Sequence, residues 1–311
     1  MSSNLTVAVT GSHKSKAIVH CTVGSGAAFP AYDPVNGYIY VPVESNTVEI
    51  VKAPCKVIAS VTFDFAGAAI GWAAFDPQNN YVYVTDTGLN QVYVLSGTGY
   101  VTTVTSSLFD GPEGIVYDPA AAGMLVANFG SDTLVGIDSL FAVYSILSLP
   151  SDPVEVSIDA VADTIDVTLP FMNSVAVAYP NIPLIEAPTT VYYYGTGIEP
   201  QEIAYDPATA EEAITNYGSD NLTVYNGLCP CSFAGPATGS GPDGICYSAV
   251  HQYLYVMNSV SNTVSEFNVN FGLVKTVNLG SGVEPLGCAY DEATGQMYVT
   301  GAESGDLYVL P

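Results

Sequence analysis

The feature that most constrains this chain is a sevenfold repeat with a period of about 42 residues. Each copy has an aromatic–acid turn, a strand rich in Tyr and Val, and an Asn/Asp turn in the same order. The acid of the first turn recurs every 41–47 residues, at Asp33, Asp76, Asp118, Asp159, Asp206 and Asp291, and Ser248 takes its place once. Short strands at this period are typical of propeller blades, because the repeats of helical solenoids contain no such strands.

The second repeat indicates how one copy makes one blade. Asp76-Pro77 predicts a turn, because Asp accepts backbone hydrogen bonds there and Pro fixes φ. Runs of β-branched and aromatic residues predict four strands, over residues 73–75, 81–84, 91–95 and 100–105. One copy cannot bury its own sheet faces, so the copies must stack. We therefore expect an all-β fold, a seven-bladed β-propeller with four antiparallel strands per blade, in one domain covering residues 1–311.

The two ends of the chain predict how the ring of blades closes. The seventh repeat ends at Pro311 without an outer strand, and residues 16–23 resemble the outer strands of other copies. We expect this N-terminal strand to complete the last blade and to remove a free sheet edge. Residues 1–15 are left over, and residues 4–10 within them resemble a third strand. That segment is either an extra edge strand or a flexible terminus, or it pairs with a neighbouring molecule by strand addition.

The charge balance excludes several classes of partner. The formal net charge is −25, with five Lys and no Arg. Binding to nucleic acid or to anionic lipid needs basic patches, so neither is expected. The sequence has no run of about 18 apolar residues for a membrane-spanning helix, and its first residues lack a secretory signal. The protein is therefore either cytosolic or has had its signal removed, and the composition favours the second, an extracellular or cell-surface protein with a surface either suited to acid or simply acidic.

The cysteines agree with an oxidising compartment. There are six: Cys21, Cys55, Cys229, Cys231, Cys246 and Cys288. Six cysteines allow fifteen pairings, and the sequence does not choose among them. The Cys-Pro-Cys at 229–231 has neither the second cysteine pair of a zinc ribbon nor the two-residue gap of a thioredoxin-like site. We expect disulfides, although Cys246 and Cys288 lie on the same strand of successive repeats and also suit apolar packing.

Three segments resemble the YVTN-type β-propeller proteins, a class common among surface-layer and other extracellular proteins. They are YVYVTD at 81–86, YVMN at 255–258 followed by SNTV at 261–264, and a further SNTV at 45–48. The resemblance covers most of the chain, and its motifs mainly build strands and turns. It implies a binding or structural role. Related propellers include lactonases and lyases with a metal in the central channel, so an enzymatic role stays open.

Overlaying the repeats reveals two sets of oxygen-bearing side chains. One set lies just before the inner strands and contains Glu113, Gln201 and Asp243. The other set ends the second strands and contains Asp86, Asn128, Asn216 and Asn258. Equivalent positions recur around a propeller axis, so both sets are expected near one mouth of the channel. Such oxygens suit Ca²⁺, which takes six to eight ligands, but polar residues here also serve simply to satisfy their own turns.

Few other groups suggest chemistry. Trp72, at the start of an inner strand, is either a stacking platform for a ligand or a residue packed between blades. The three histidines are not expected to converge on one site, which disfavours a His-based lyase: His13, His20 and His251. Asn4 and Asn221 each begin an Asn-Leu-Thr triplet, the acceptor pattern for N-glycosylation.

These patterns predict a non-enzymatic extracellular propeller that acts as a binding or assembly module of a cell surface or appendage. The sequence contains no serine-nucleophile elbow and no Gly-rich phosphate loop. The expected partners are proteins or glycans at that surface, with self-assembly through a terminal strand as a further possibility. One alternative is a metal-dependent hydrolase, lactonase or lyase with its site at the channel mouth, and another is a soluble ligand-binding module.

Overall fold

The structure, a computed structural model, describes residues 18–63, 65–179, 190–226 and 231–310. These residues form seven four-stranded antiparallel sheets arranged as the blades of a β-propeller, which confirms the expected fold. In the described ranges the helices are three-residue 3-10 turns, at Phe129–Ser131, Pro170–Met172 and Tyr217–Ser219. None of the described helices is long and apolar enough to cross a membrane.

Each blade runs from an innermost strand at the central channel to an outermost strand at the rim. Blades one to three contain β2 Ala31–Asp33, β3 Tyr38–Val43, β4 Thr47–Lys52, β5 Lys56–Thr62; β6 Ile70–Asp76, β7 Tyr81–Asp86, β8 Gln91–Ser96, β9 Gly99–Thr105; and β10 Pro112–Asp118, β11 Gly123–Asn128, β12 Thr133–Ile137, β13 Val143–Ser148. Blades four and five contain β14 Val156–Asp159, β15 Thr164–Leu169, β16 Ser174–Tyr179, β17 Thr190–Gly195; and β18 Pro200–Asp206, β19 Glu211–Asn216, β20 Asn221–Asn226, β21 Cys231–Ala237. Blades six and seven contain β22 Pro242–Ser248, β23 Tyr253–Asn258, β24 Thr263–Asn268, β25 Leu273–Asn278; and β26 Pro285–Asp291, β27 Gln296–Gly301, β28 Asp306–Leu310, β1 Val19–Thr22.

The ring closes through the N-terminal strand, as the sequence predicts. Strand β1 pairs antiparallel with β28, with Val19 opposite Val309 and Thr22 opposite Asp306. The strand is shorter than the predicted 16–23, and its first predicted residues, 16 and 17, lie outside the described chain. Residues 1–15, with the candidate extra strand and Asn4, also lie outside it.

Two disulfides join the blades on either side of this closure. Cys21 on β1 bonds Cys55, which lies in the hairpin between β4 and β5, so the closing strand of blade seven is tied to blade one. Cys246 on β22 bonds Cys288 on β26, which links the innermost strands of blades six and seven. The expectation of disulfides is confirmed for these four cysteines. Cys229 and the side chain of Cys231 lie outside the described part of the structure.

The aromatic–acid turn of the repeat has a structural cause. Asp76 ends β6, and its Oδ1 accepts the backbone N–H of Gln78 at 2.8 Å, which closes the turn. In blade six, the aromatic residue before the turn also contacts blade five, because the Tyr247 hydroxyl bonds Asp206. Burial and this bond raise the pKa of Tyr247 to about 12. The turn acid therefore ends its own innermost strand, and that of blade five also bonds a residue of the neighbouring blade.

Blades four and five meet around a buried pair of acids. Asp166 on β15 and Glu212 on β19 are fully buried, and their carboxyl groups lie close enough to interact directly. Burial raises the pKa of Asp166 to about 7 and that of Glu212 well above its ordinary range. Two ionised carboxylates repel each other strongly when they are buried side by side, so this junction favours a protonated carboxyl group.

The outer strand of blade five is irregular but not short. The Gly- and Pro-rich composition predicts a short or irregular strand there. Strand β21 has seven residues, so it is not short, but its pairing with β20 shifts register between Asn221 and Thr223. The irregularity is therefore a shift in pairing within a full-length strand.

Candidate ligand site at the channel mouth

Bulges at the start of the innermost strands shape one mouth of the channel. The pairing of first and second strands shifts register in blades two, three, five, six and seven, between Ile70 and Ala73 and at the equivalent places in the other four blades. A bulge adds an unpaired residue and turns nearby side chains away from the regular alternation. Trp72, Glu113, Gln201, Glu202 and Asp243 all lie within these bulges.

The bulge residues enclose a cavity of about 330 Å³. Every blade contributes at least one lining residue, which places the cavity on the propeller axis. The lining consists of Phe29, Trp72, Glu113, Phe129, Val154, Pro170, Phe171, Gln201, Glu202, Asp243 and Leu286. It combines aromatic rings with acids, and it contains no Lys, Arg or His among the residues described. The predicted candidates Glu113, Gln201, Asp243 and Trp72 thus come together at one site.

A line of contacts crosses the channel beneath this cavity. The rings of Phe29 and Trp72 stack with centroids 4.6 Å apart and planes within 7°. The Trp72 Nε1–H donates to Glu202 Oε1 at 3.1 Å. Glu202 in turn bonds Glu155. Trp72 is in blade two and Glu202 is in blade five, so their bond spans the axis, and we call these four residues the channel bridge.

Three threonines position most of the bridge. The backbone N–H groups of Trp72, Glu155 and Glu202 each donate to a threonine hydroxyl on the second strand of the same blade. These hydroxyls are at 3.2, 3.0 and 3.0 Å, and they belong to Thr85, Thr168 and Thr215 respectively. The N–H groups of the two bulge residues and that of Glu155, just before β14, are thereby satisfied, which fixes the backbone from which these bridge side chains project.

A glycine makes room for the acidic end of the bridge. Gly114 occupies the position in blade three that Trp72 and Glu202 occupy in their blades. A Cβ atom there would lie 2.5 Å from Glu155 Oε2 and 2.5 Å from the Val154 carbonyl oxygen. Any larger residue would therefore collide with the bridge. At this position some blades have glycine and others have a large residue. As a result, the side chains of only four of the seven blades occupy the axis.

The bridge acids hold a proton at neutral pH. Burial is the largest cause that raises the pKa of Glu202 to about 8 and that of Glu155 well above its ordinary range. The Trp72 bond acts in the opposite direction and lowers the pKa of Glu202, because an N–H donor favours the ionised form. Glu155 Oε2 is buried and has no N–H or other neutral donor among the described residues.

Two further acids lie higher in the cavity wall. Burial raises the pKa of Glu113 to about 7, with a smaller contribution from the negative charge of Asp152. Burial also raises the pKa of Asp243 to about 7, and Glu284 adds to that effect. Neither carboxyl forms an ion pair with a described residue. The cavity therefore holds several acids that lack a positive partner.

The second predicted set of ligands has a different role. Asp86, Asn128, Asn216 and Asn258 are fully buried and are not among the described residues that line the cavity. Their oxygens accept loop N–H groups; for example, Asp86 Oδ1 bonds the Ala69 amide at 2.8 Å, and Asn258 Oδ1 bonds the Gly239 amide at 3.0 Å. The Asn258 amide also donates to Ser265 Oγ at 3.0 Å. These side chains hold the loops above the second strands. They therefore serve to satisfy backbone groups of the loops, which is the alternative to Ca²⁺ binding given by the sequence.

The remaining candidate residues lie apart from the cavity. Asn221 begins β20, and its Oδ1 accepts the Asn216 amide at 2.8 Å. His20 contacts Asp306 on the rim of blade seven, while His251 follows β22 and lies 3.3 Å from Ser248 Oγ. His13 is outside the described residues. Within the described chain, no three His, Cys, Asp or Glu side chains are grouped so as to hold a metal ion.

Several residues of the site are not identified by comparing the repeats. The bridge acid Glu155 and the rim residues Phe129 and Phe171 are not singled out by the sequence. Phe129 and Phe171 lie in 3-10 turns that follow the second strands of blades three and four. The bridge could have been found from the position one residue after Glu113 and its equivalents in the other repeats. From blade one to blade seven, the residues at that position are Phe, Trp, Gly, Glu, Glu, Gly and Gly.

Comparison with known proteins agrees on the fold. A streptogramin B lyase aligns with a TM-score of 0.79 and 12% identity, over 94% of this chain and 97% of its own. Virginiamycin B lyase from Staphylococcus aureus gives a TM-score of 0.79 and 11% identity, over 94% and 98%. Hydrazine synthase of Kuenenia stuttgartiensis gives 0.77 and 16%, over 97% and 98%. No model of a protein family matches the chain, and no curated protein does.

Proposed function

We propose that the protein is a non-enzymatic binding propeller that takes a small ligand, or a small part of a larger partner, in the cavity at the channel mouth. The observation that carries the proposal is the cavity itself, about 330 Å³ in volume and built from bulge residues. Binding sites of this kind are concave, mostly apolar and supplied with a few convergent polar groups. The channel bridge gives the cavity a fixed floor, because threonine hydroxyls accept the backbone N–H groups of three of its four residues.

The setting we propose is a cell surface or appendage, with proteins or glycans as partners. Two disulfides and the resemblance to YVTN-type propellers support an extracellular location. Self-assembly through a terminal strand and glycosylation at Asn4 or Asn221 belong to the same proposal. Ligand binding in the cavity can be tested on the isolated protein, whatever its cellular location.

A thermal-shift screen of small molecules tests the cavity. Gln201 lines the cavity, so Gln201→Tyr fills it, while Gln78→Tyr makes the same change at an exposed turn of blade two. We expect hits to raise the melting temperature of the wild type and of Gln78→Tyr, but not of Gln201→Tyr, because only bound ligand stabilises the folded state. Hits that act equally on all three proteins would contradict a channel-mouth site.

A second candidate function is a hydrolase, lactonase or lyase that works in the same cavity. Glu113 and Asp243, with pKa values of about 7, are suited to proton transfer near neutral pH. This alternative includes a metal-dependent enzyme, with Ca²⁺ as the metal ion held by the cavity oxygens. Turnover of a lactone or ester substrate that is lost in Asp243→Asn, but kept in the exposed-turn variant Glu292→Gln, would favour it.

A further inference from the structure

We infer that the ligand of the channel-mouth cavity carries an organic cation, an alkylammonium group. The inference rests on the proposed function, because it names the ligand class of the same cavity. It is drawn from three properties of the lining: acids without a positive partner, aromatic rings at the rim, and a volume far larger than an ion.

The acids supply the charge for such a ligand. Glu113 on β10 and Asp243 on β22 come from blades on opposite sides of the bridge, and both line the cavity. Burial and negative neighbours hold the pKa of each near 7, which shows that nothing in the surrounding chain favours their ionised forms. A bound cation would provide the missing partner and lower both pKa values. Beneath them, Glu202 and Glu155 add a second layer of acids.

The aromatic rings supply the rest of the recognition. Phe129 and Phe171 face each other across the rim with ring centroids 6.2 Å apart and planes inclined at 57°. Phe171 is 71% exposed, an unusual state for a large apolar side chain that is part of a cavity wall. The Trp72 ring lies on the floor. Aromatic faces attract cations within about 6 Å of the ring centroid, and quaternary ammonium groups are bound in proteins by such rings together with acids.

The size of the cavity separates an organic cation from a bare metal ion. At roughly 30 Å³ for each water molecule, 330 Å³ holds about eleven waters. An alkylammonium group fits within such a space, which leaves room for a further substituent, and its lining offers the group both rings and acids. A hard cation would use only the oxygens, and the aromatic half of the lining would contribute nothing to its binding.

Isothermal titration calorimetry with choline and its neutral isostere 3,3-dimethylbutan-1-ol tests the inference. The two molecules have the same shape and differ only in the charge, so the difference in affinity isolates the cation. We expect choline to bind at least about tenfold more tightly, and its affinity to rise as the pH increases through about 7 and the acids ionise. CaCl₂ and MgCl₂ are titrated in parallel.

Matched variants assign the effect to the cavity. Asp243→Asn and Glu113→Gln are each expected to weaken choline binding about tenfold, whereas Glu292→Gln removes the same charge at an exposed turn and leaves binding unchanged. Phe171→Ala, an exposed position that does not threaten folding, is expected to weaken choline binding severalfold. Circular dichroism confirms that each variant is folded.

The outcomes separate this inference from the proposed function. Equal binding of choline and the neutral isostere would overturn the organic cation and leave a ligand cavity in place. Binding of Ca²⁺ without choline would also overturn it, in favour of a metal site. If neither organic molecule binds and the thermal-shift screen finds no ligand that Gln201→Tyr excludes, both proposals fail.

Discussion

The Asp166–Glu212 pair makes the stability of the protein depend on pH. The pair joins blades four and five, both side chains are fully buried, and neither forms an ion pair with a described residue. The other titratable groups that act on it are Asp159, Tyr194, Tyr205 and Tyr225, and none supplies a positive charge. Because the pKa of Asp166 is higher in the folded state than in the unfolded chain, the folded state binds more protons. Stability is therefore full in acid and is lost as the pH rises through the folded pKa of about 7.

The size of the effect follows from the same values. A rise in the Asp166 pKa from 3.8 to about 7 corresponds to about 4 kcal/mol of unfolding free energy lost once the proton is removed. The loss is a large fraction of the roughly 5–15 kcal/mol that stabilises an ordinary domain. We expect the free energy of unfolding in urea to fall by at least that amount between about pH 4 and about pH 8, because the pKa of Glu212 is raised in the folded state as well.

Substitution of one acid isolates the pair. In Glu212→Gln, the amide donates to Asp166 without a titrating proton, so the dependence on pH should flatten. Glu211→Gln makes the same change at the neighbouring half-buried position on β19 and should keep the wild-type slope. The measurement is urea unfolding followed by circular dichroism at several pH values. A wild-type profile that is flat, or one that Glu212→Gln leaves unchanged, would show that the Asp166–Glu212 pair does not cause the dependence of stability on pH.

Three further results are expected. Replacing Cys21 and Cys55 by Ser should lower the free energy of unfolding by about 3 kcal/mol, because the disulfide closes a 34-residue separation across the ring seam; equal urea midpoints would argue against a stabilising role. Glu284→Gly should stabilise by up to about 1 kcal/mol, since Glu284 has a φ of 52° where two other blades have glycine; calorimetry that shows a lower melting temperature would contradict this. Trp72→Phe should raise the pKa of Glu202, because it removes the 3.1 Å hydrogen bond that lowers it; carbon NMR of the carboxyl group would detect the change, and an unaltered titration would exclude the bond.

The repeat carries most of the information about the fold. A turn such as Asp76-Pro77 and the strands around it are local features, so their positions can be predicted from short stretches of chain. The second blade has its strands where the sequence places them, except that β6 begins at Ile70, three residues earlier than predicted. The difference is the bulge, where the pattern of alternating side chains breaks and a short window cannot recognise a strand.

The site was only partly predictable, for the same reason. Glu113, Gln201 and Asp243 could be found because they occupy one column of the repeat, and the structure brings them to one cavity. The bond between Trp72 and Glu202 joins blades two and five, which are 130 residues apart in sequence. No single repeat contains that contact, and it depends on glycines in three other blades leaving the axis free. The disulfide pairing likewise depends on which strands the closed ring brings together.

The most direct test of the account is the indole N–H signal of Trp72 in a nitrogen–proton NMR spectrum. The chain has one tryptophan, so one indole signal reports on both the channel bridge and the cavity above it. This signal should shift during a titration with choline and saturate, and without ligand it should titrate with the Glu202 pKa of about 8. An indole signal that moves neither with choline nor with pH would contradict a ligand site built on the Trp72–Glu202 bridge.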